Sequence, residues 1–385
     1  MAKAWAGLVL SVFAALPTGA GAADAFEISG YFNLDLTGEV GGERAHRLRE
    51  LNKLHVDLGV DLAELIGWSG ASAHFSVLNT SGARPNQDIG SLQGYDNIEV
   101  AGRRLRLYEG WVEQLFAADR VSLRVGLYDF NTEFYVTDAA SLLIAPAFGI
   151  GPEAAASGPA GPPVYPTTSL TARLRFEPTA TTYLQAAVMN AHIGSVGEPD
   201  GVNVSFDHGV LTAVEAGWTG RGKIAVGAWR YSERLDDLID VDLFGAPLQR
   251  QVQGVYLLAE TRLFGASDAA GVDGFVRLGV SDGDTNILRA GWQAGVLVGP
   301  VAPGRPDSRL SFGIEQAVLS DKGRALLTLG GTASAATETG FELTYADQIS
   351  EHVTLQPDIQ YILNPGGDRA AKSAAIATLR LTVDF

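Results

Sequence analysis

The stretch Lys53-Leu54-His55-Val56-Asp57-Leu58-Gly59-Val60-Asp61-Leu62 decides the fold. Leu54, Val56, Leu58, Val60 and Leu62 occupy every second position, with His55, Asp57, Gly59 and Asp61 between them. Successive side chains of an extended strand point to opposite faces, so this segment reads as a strand with one apolar and one wet side. The C-terminus repeats the pattern: Leu379, Leu381, Val383 and Phe385 point one way, and Thr378, Arg380, Thr382 and Asp384 the other.

Working outward, alternating segments fall near 26–37, 50–63, 69–79, 102–116, 120–130, 167–177, 181–193, 208–219, 222–232, 249–264, 273–281, 287–298, 307–318, 337–347, 351–362 and 373–385. The total is sixteen, separated by Gly, Pro, Asp and Asn at one rhythm; alternation is weakest at 69–79, 102–116 and 222–232. No change of composition marks a domain boundary. No segment after the N-terminal leader has an 18-residue apolar run and mean hydropathy is near zero, so spanning by helices is excluded. A barrel hides from hydropathy because only every second residue faces lipid. The expected fold is all-β, a transmembrane antiparallel β-barrel of sixteen strands, wide enough for a water-filled lumen. Outer-membrane barrels also end on an amphipathic strand with a terminal aromatic, read by the barrel-assembly machinery; Phe385 fits, although a soluble β-sandwich can end the same way.

Connection lengths test this independently, because bacterial barrels have short periplasmic turns and longer external loops. With both termini periplasmic, the short connections Glu64 to Trp68, Ala117 to Asp119, Pro178 to Ala180, Gly220 to Arg221 and Gln348 to Ser350 all fall inside. The long ones, Gly38 to Arg49, Thr80 to Ala101, Asn131 to Pro166 and Leu319 to Ala336, fall outside. Gly265 to Val272 and Gly299 to Pro306 are longer than the rule prefers, and Asp282 to Asn286 is shorter.

The N-terminus reads as a secretory signal over residues 1–22, with Lys3, the apolar run Ala4 to Leu16 and a small-residue site Ala20-Gly21-Ala22. The mature chain then begins at Ala23 and forms one barrel domain to residue 385, addressed to the bacterial outer membrane. Removing the leader takes one lysine and no acid, so the formal charge moves from −16 to −17, which argues against nucleic acid. There is no cysteine, although export permits disulfides.

Residues 131–166 form the third external loop, with an Ala/Gly/Pro-rich run from Ala145 to Pro163. Such composition suits a flexible linker, but 36 residues exceed what a compact fold leaves structureless. By analogy with water-filled barrels whose third loop turns inward, the loop is expected to fold into the lumen and narrow it. Arg173 and Arg175 alternate with Leu174 and Phe176, so both guanidiniums face inward. Glu109, Glu113, Asp129 and Glu133 are candidate opposing carboxylates. Such a belt fixes donors and acceptors in planes that suit sugar hydroxyls, or serves only to keep the lumen wet. Trp111 and Tyr128 lie in the same region; they either stack on a pyranose or belong to the interfacial aromatic girdles.

No HExxH, G-x-S-x-G or phosphate-loop pattern occurs, and neither a cofactor nor a metal is implied. Asp236, Asp237, Asp240 and Asp242 lack EF-hand spacing and read as a solvated external loop, open to bridging to lipopolysaccharide by divalent cations.

Three blocks resemble the carbohydrate-selective porin (OprB-like) family. The first is Leu54 to Phe75, with Asp57-Leu58-Gly59-Val60-Asp61-Leu62 followed by Gly67-Trp68. The second is Leu105 to Leu174, with Leu107-Tyr108, Trp111-Val112-Glu113-Gln114, Gly126 to Phe134 and Tyr165-Pro166, running on into Arg173-Leu174-Arg175-Phe176-Glu177-Pro178. The third is Glu338 to Phe385, with Leu355-Gln356-Pro357-Asp358-Ile359-Gln360-Tyr361 and Asn364-Pro365-Gly366-Gly367. The resemblance implies passive diffusion of sugars, monosaccharides such as glucose among them. Three other readings compete with it. A less selective pore for small polar solutes would keep the barrel. A barrel enzyme would need a nucleophile, base and orienting group, and a soluble secreted β protein would need a second sheet.

Overall fold

The computed structural model describes residues 25–41, 47–265 and 270–385; the expected leader, residues 1–22, and the mature start at Ala23 lie outside the described residues. Among the described residues sixteen strands close into one antiparallel barrel in which each strand pairs with its sequence neighbours and the last pairs with the first. They are β1 (Phe26–Gly41), β2 (Arg49–Asp61), β3 (Ala71–Gly82), β4 (Arg104–Phe116), β5 (Val121–Tyr128), β6 (Ser169–Thr179), β7 (Thr182–Asn190) and β8 (Val210–Thr219). β9 (Gly222–Val241), β10 (Pro247–Phe264), β11 (Gly271–Ser281), β12 (Leu288–Gly299), β13 (Arg309–Leu319), β14 (Thr337–Ser350), β15 (Val353–Leu363) and β16 (Ala374–Asp384) complete it. Closure leaves no unpaired edge, which is what allows a sheet to sit in lipid.

The alternation seen in the sequence maps onto the wall. Leu174, Phe176, Val255, Leu257, Leu343 and Leu379 are exposed on the outside, whereas Thr171, Arg173, Thr378 and Arg380 are buried on the inside. At the seam, Gly30 and Phe385 exchange two backbone hydrogen bonds of 3.0 Å. A side chain on Gly30 would collide with the Phe385 ring, at 2.8 Å, so a glycine there lets the terminal aromatic lie across the closing strand pair.

All sixteen expected segments are strands, with one large change of length. β9 and β10 extend beyond the rim as a hairpin reaching Val241, where the sequence suggested an end at 232. Past Ser232 the strands still pair, but the run Glu233-Arg234-Leu235-Asp236-Asp237 carries no apolar period of two from which a strand could be read. The aspartates expected in a solvated loop lie on or beside this hairpin. Asp237 is buried and ion-paired to Arg250 at 2.8 Å and to Lys322 at 2.5 Å. Lys322, on the external helix Asp321–Leu329, also meets Asp240 and Asp284, both at 2.8 Å, and so ties three external segments together.

The interior is not uniformly polar. Phe130, Phe134, Tyr135, Ile150 and Ala154, all between β5 and β6, pack against Tyr183, Ala187, Met189, Leu211, Ala213, Ala225, Trp229 and Tyr256 on the inner face of β7–β10. Tyr135 stacks on Tyr256 with ring centroids 4.0 Å apart. This explains the weak alternation of 222–232: its inward residues are apolar because a loop, not water, covers them.

Candidate functional site

The register of β4, β5 and β6 builds a row of charge. Glu113 lies opposite Arg124, and Arg124 opposite Arg173. Cross-strand neighbours on one face are close enough to interact directly, so two guanidiniums side by side require carboxylates. Glu113 supplies one, and Glu133, carried by the turn Phe130–Thr132 that follows β5, supplies the other. Arg173 donates from Nε to Glu133 at 2.7 Å and from Nη2 to Glu113 and Glu133, both at 2.8 Å. Its Nη1 donates to the Ser122 carbonyl at 3.2 Å and to the Ser122 hydroxyl. All five N–H groups are thereby used, and the side chain is 1% exposed. Arg173 therefore holds the row together and has no donor left for a solute.

Arg124, which the sequence reading passed over, is the more open partner. It meets Glu113 at 3.2 Å and Glu133 at 3.6 Å, and its guanidinium lies over the Trp111 ring at 3.7 Å. Trp111 is flanked by Arg124 from β5 and by His74 from β3, which stacks on it with ring centroids 4.9 Å apart. The indole ring is thus engaged within the wall. Opposite Trp111 stands Gly126, at φ +149°, where a Cβ would fall 2.2 Å from the Gly110 carbonyl oxygen and 2.8 Å from the Trp111 Cβ. Glycine at that position leaves room for the Trp111–Arg124 contact.

The other candidates divide by burial. Tyr128 is buried and donates to Glu133 at 2.6 Å. Glu109 is buried and accepts from the Asp129 backbone N–H at 3.0 Å. Asp129 accepts from the Asn131 N–H at 2.7 Å and from the Tyr108 hydroxyl, and burial pushes its carboxyl up to about 6. Tyr108 reaches it because a bulge in β4 opposite Ser76 and Val77 leaves Tyr108 unpaired in the ladder. These groups seat the start of the loop. Arg175 differs: its Nε pairs with Glu177 at 2.8 Å and its Nη1 with Gln185 at 2.9 Å, while Nη2 takes no partner among the described residues. Arg175, Arg124, Glu113 and Glu133 all keep part of their surface open.

The segment between β5 and β6 is bonded to inward side chains around much of the wall. The N–H groups of Ile144 and Ala145 donate to Glu342 at 2.5 and 2.9 Å, that of Tyr135 to Glu215 at 3.0 Å, and that of Ala139 to Glu260 at 2.7 Å. Arg277 donates to the carbonyls of Phe148 and of Gly149, the latter at 2.9 Å, and Gln356 to that of Leu142 at 2.6 Å. An irregular backbone enclosed by protein must find such partners or lose the free energy of its unmade hydrogen bonds. The segment between β3 and β4 is held likewise, with Leu92 and Gln93 N–H groups on Glu338 at 3.0 and 3.1 Å.

A closed barrel, apolar outside and lined within by ion-paired side chains, defines a porin of the outer membrane. Residues 45–385 match the carbohydrate-selective porin, OprB family. Porin B of Pseudomonas aeruginosa is 20% identical over 382 residues, spanning 88% of this chain and 82% of that protein. The high-pH structure of Pseudomonas putida OprB superposes with a TM-score of 0.83 at 18% identity, covering 99% of this chain and 97% of the other. An anion-selective porin from Comamonas acidovorans shares the fold at a TM-score of 0.55 and 14% identity, over 94% of this chain and 99% of the other. The chain belongs to the carbohydrate-selective porin family.

Proposed function

We propose that this protein lets carbohydrates, including monosaccharides such as glucose, diffuse passively across the outer membrane. It acts as a single barrel of residues 23–385 once residues 1–22 are removed. The observation that carries the reading is the Glu113–Arg124–Arg173 row closed by Glu133. Planar donors and acceptors at fixed spacing match the vicinal hydroxyls of a sugar ring. Arg173 acts as the positioning residue of this row. Arg124 and the free Nη2 of Arg175 present donors, and Glu113 and Glu133 present acceptors. The loop 131–166 narrows the passage and brings Glu133 to the row. Trp111 holds Arg124 in place, and Tyr128, Glu109 and Asp129 fix the loop's first turn. Lipid and lipopolysaccharide surround the barrel, and the strand ending at Phe385 is the one handed to the assembly machinery.

The test is single-channel current in planar bilayers during glucose titration, with an Arg175→Ala variant alongside. Saturable block that weakens several-fold in the variant supports the reading. Current indifferent to glucose would make the protein a general pore for small polar solutes.

A further inference from the structure

Lys53 lies on the inner face of β2, above the charged row. Its ammonium stands 4.8 Å from the centre of the Tyr31 ring and 5.2 Å from that of Tyr165. Cation–π attraction from two rings holds the charge while leaving its three N–H donors unspent. Among the described residues Lys53 makes no ion pair and no side-chain hydrogen bond. The acids nearby are already engaged. Asp35 accepts twice from Arg380 Nε, at 2.8 and 3.1 Å, and from Nη2 at 2.6 Å; Asp96 accepts from the Ile98 N–H at 3.0 Å and lies 3.7 Å from Arg380. Burial and the neighbouring Asp35 also raise the Asp96 carboxyl well above the usual range.

The surroundings are those of a solute site. Lys53, Tyr31, His55 and Tyr165 are all partly open, and Tyr31, His55, Tyr108 and Tyr165 form a chain of ring contacts from 5.2 to 6.2 Å. β2 descends from its external end at Arg49, so a solute entering from outside meets Lys53 before His55 and Asp57. Asp57 then joins His55 to His74, each at 3.3 Å, and His74 stacks on Trp111 beside Arg124. A continuous track of rings and charges leads from Lys53 to the row.

We propose that Lys53, with the rings of Tyr31 and Tyr165, forms an upper binding site for acidic sugars, hexoses bearing one carboxylate, ahead of the Arg124 row. This rests on the sugar-porin reading. A single unpaired ammonium matches a single carboxylate, and the flanking rings offer apolar faces to the sugar body. With Asp35 and Asp96 beside Arg380, the ammonium of Lys53 makes this corner a place where an anion gains.

The experiment compares block of single-channel current by glucuronate and by glucose in the full-length barrel, with Lys53→Met and Lys53→Arg variants. In the unmodified protein glucuronate blocks at lower concentration than glucose. Lys53→Met weakens glucuronate block about tenfold while glucose block changes less than twofold, and Lys53→Arg retains the preference. The glucose titration reports whether each variant is folded and open. Glucuronate no tighter than glucose in the unmodified protein, or equal loss of both in Lys53→Met, overturns the site and leaves the sugar porin standing. An open channel that neither sugar blocks overturns both.

Discussion

The β4–β6 wall and the β13–β15 wall both turn carboxylates inward, and they do so for different reasons. On the first, Glu113 shares Arg124 and Arg173 with Glu133 from the neighbouring turn. On the second, Glu315, Glu338, Glu342 and Asp358 are buried, and none lies within ion-pair distance of a basic group among the described residues. Glu338 and Glu342 accept instead from backbone N–H groups: Leu92, Gln93 and Gly366 on one, Ile144 and Ala145 on the other. One wall uses acid to balance the positive charge of Arg124 and Arg173. The other uses acid to accept from the backbone of two loops. A negative formal charge therefore describes two jobs, ion pairing across strands and acceptance of loop backbone N–H groups.

The largest expected effect is Arg173→Ala, which opens a gap in the wall, leaves Glu113 and Glu133 with Arg124 alone and costs about 3 kcal/mol. It should appear as a lower unfolding temperature in detergent, and Arg173→Lys should restore little, because one ammonium cannot replace five donors in a plane. If Arg173→Ala were as stable as the parent, the row would not be a unit.

Next comes Glu342→Ala, which leaves the buried Ile144 and Ala145 N–H groups without acceptors at about 1–3 kcal/mol each. The loop should loosen, and single-channel conductance should rise with more frequent fluctuation. Unchanged conductance would show that this wall holds a loop that does not limit flow. Arg175→Ala separates the two walls differently: stability should fall by less than about 1 kcal/mol, since the side chain is partly open, while glucose block weakens several-fold.

The last effect is confined to a window of pH and concerns Asp129. A carboxyl raised to about 6 in the folded protein binds its proton more tightly there than in the unfolded chain. Its contribution to docking the first turn of the loop is present at low pH and is lost as pH rises from about 4 to about 6. Asp129→Asn should flatten that part of the pH profile of thermal unfolding, and a profile of unchanged slope would refute the assignment.

Much of the barrel was legible because lipid imposes a period of two on whatever faces it, and Lys53 to Leu62 and Thr378 to Phe385 carry that period cleanly. The same parity faced Arg173 and Arg175 inward, the side on which they meet Glu133 and Gln185, whereas the sequence left Trp111 between the lumen and the aromatic girdles. The parity that puts Tyr128 inside puts Arg124 inside as well, so the signal for the missed partner was in the sequence. What parity could not tell was use: Arg173 is saturated and Arg175 is not, and that depends on where Glu133 arrives from outside the strand. The bulge at Tyr108 was equally hidden, since an extra residue shifts register without changing composition.

By itself, then, the sequence determined the closed all-β architecture and the sidedness of its connections, because alternation and loop length are local consequences of lipid on one face and water at two unlike ends. Only the tertiary structure decided which inward charges meet one another, which are spent on loop backbone, and that Lys53 stands unpaired between two tyrosines. Those outcomes depend on partners distant in the chain, brought together by strand register and by loops whose backbone donors must all be satisfied once water is excluded.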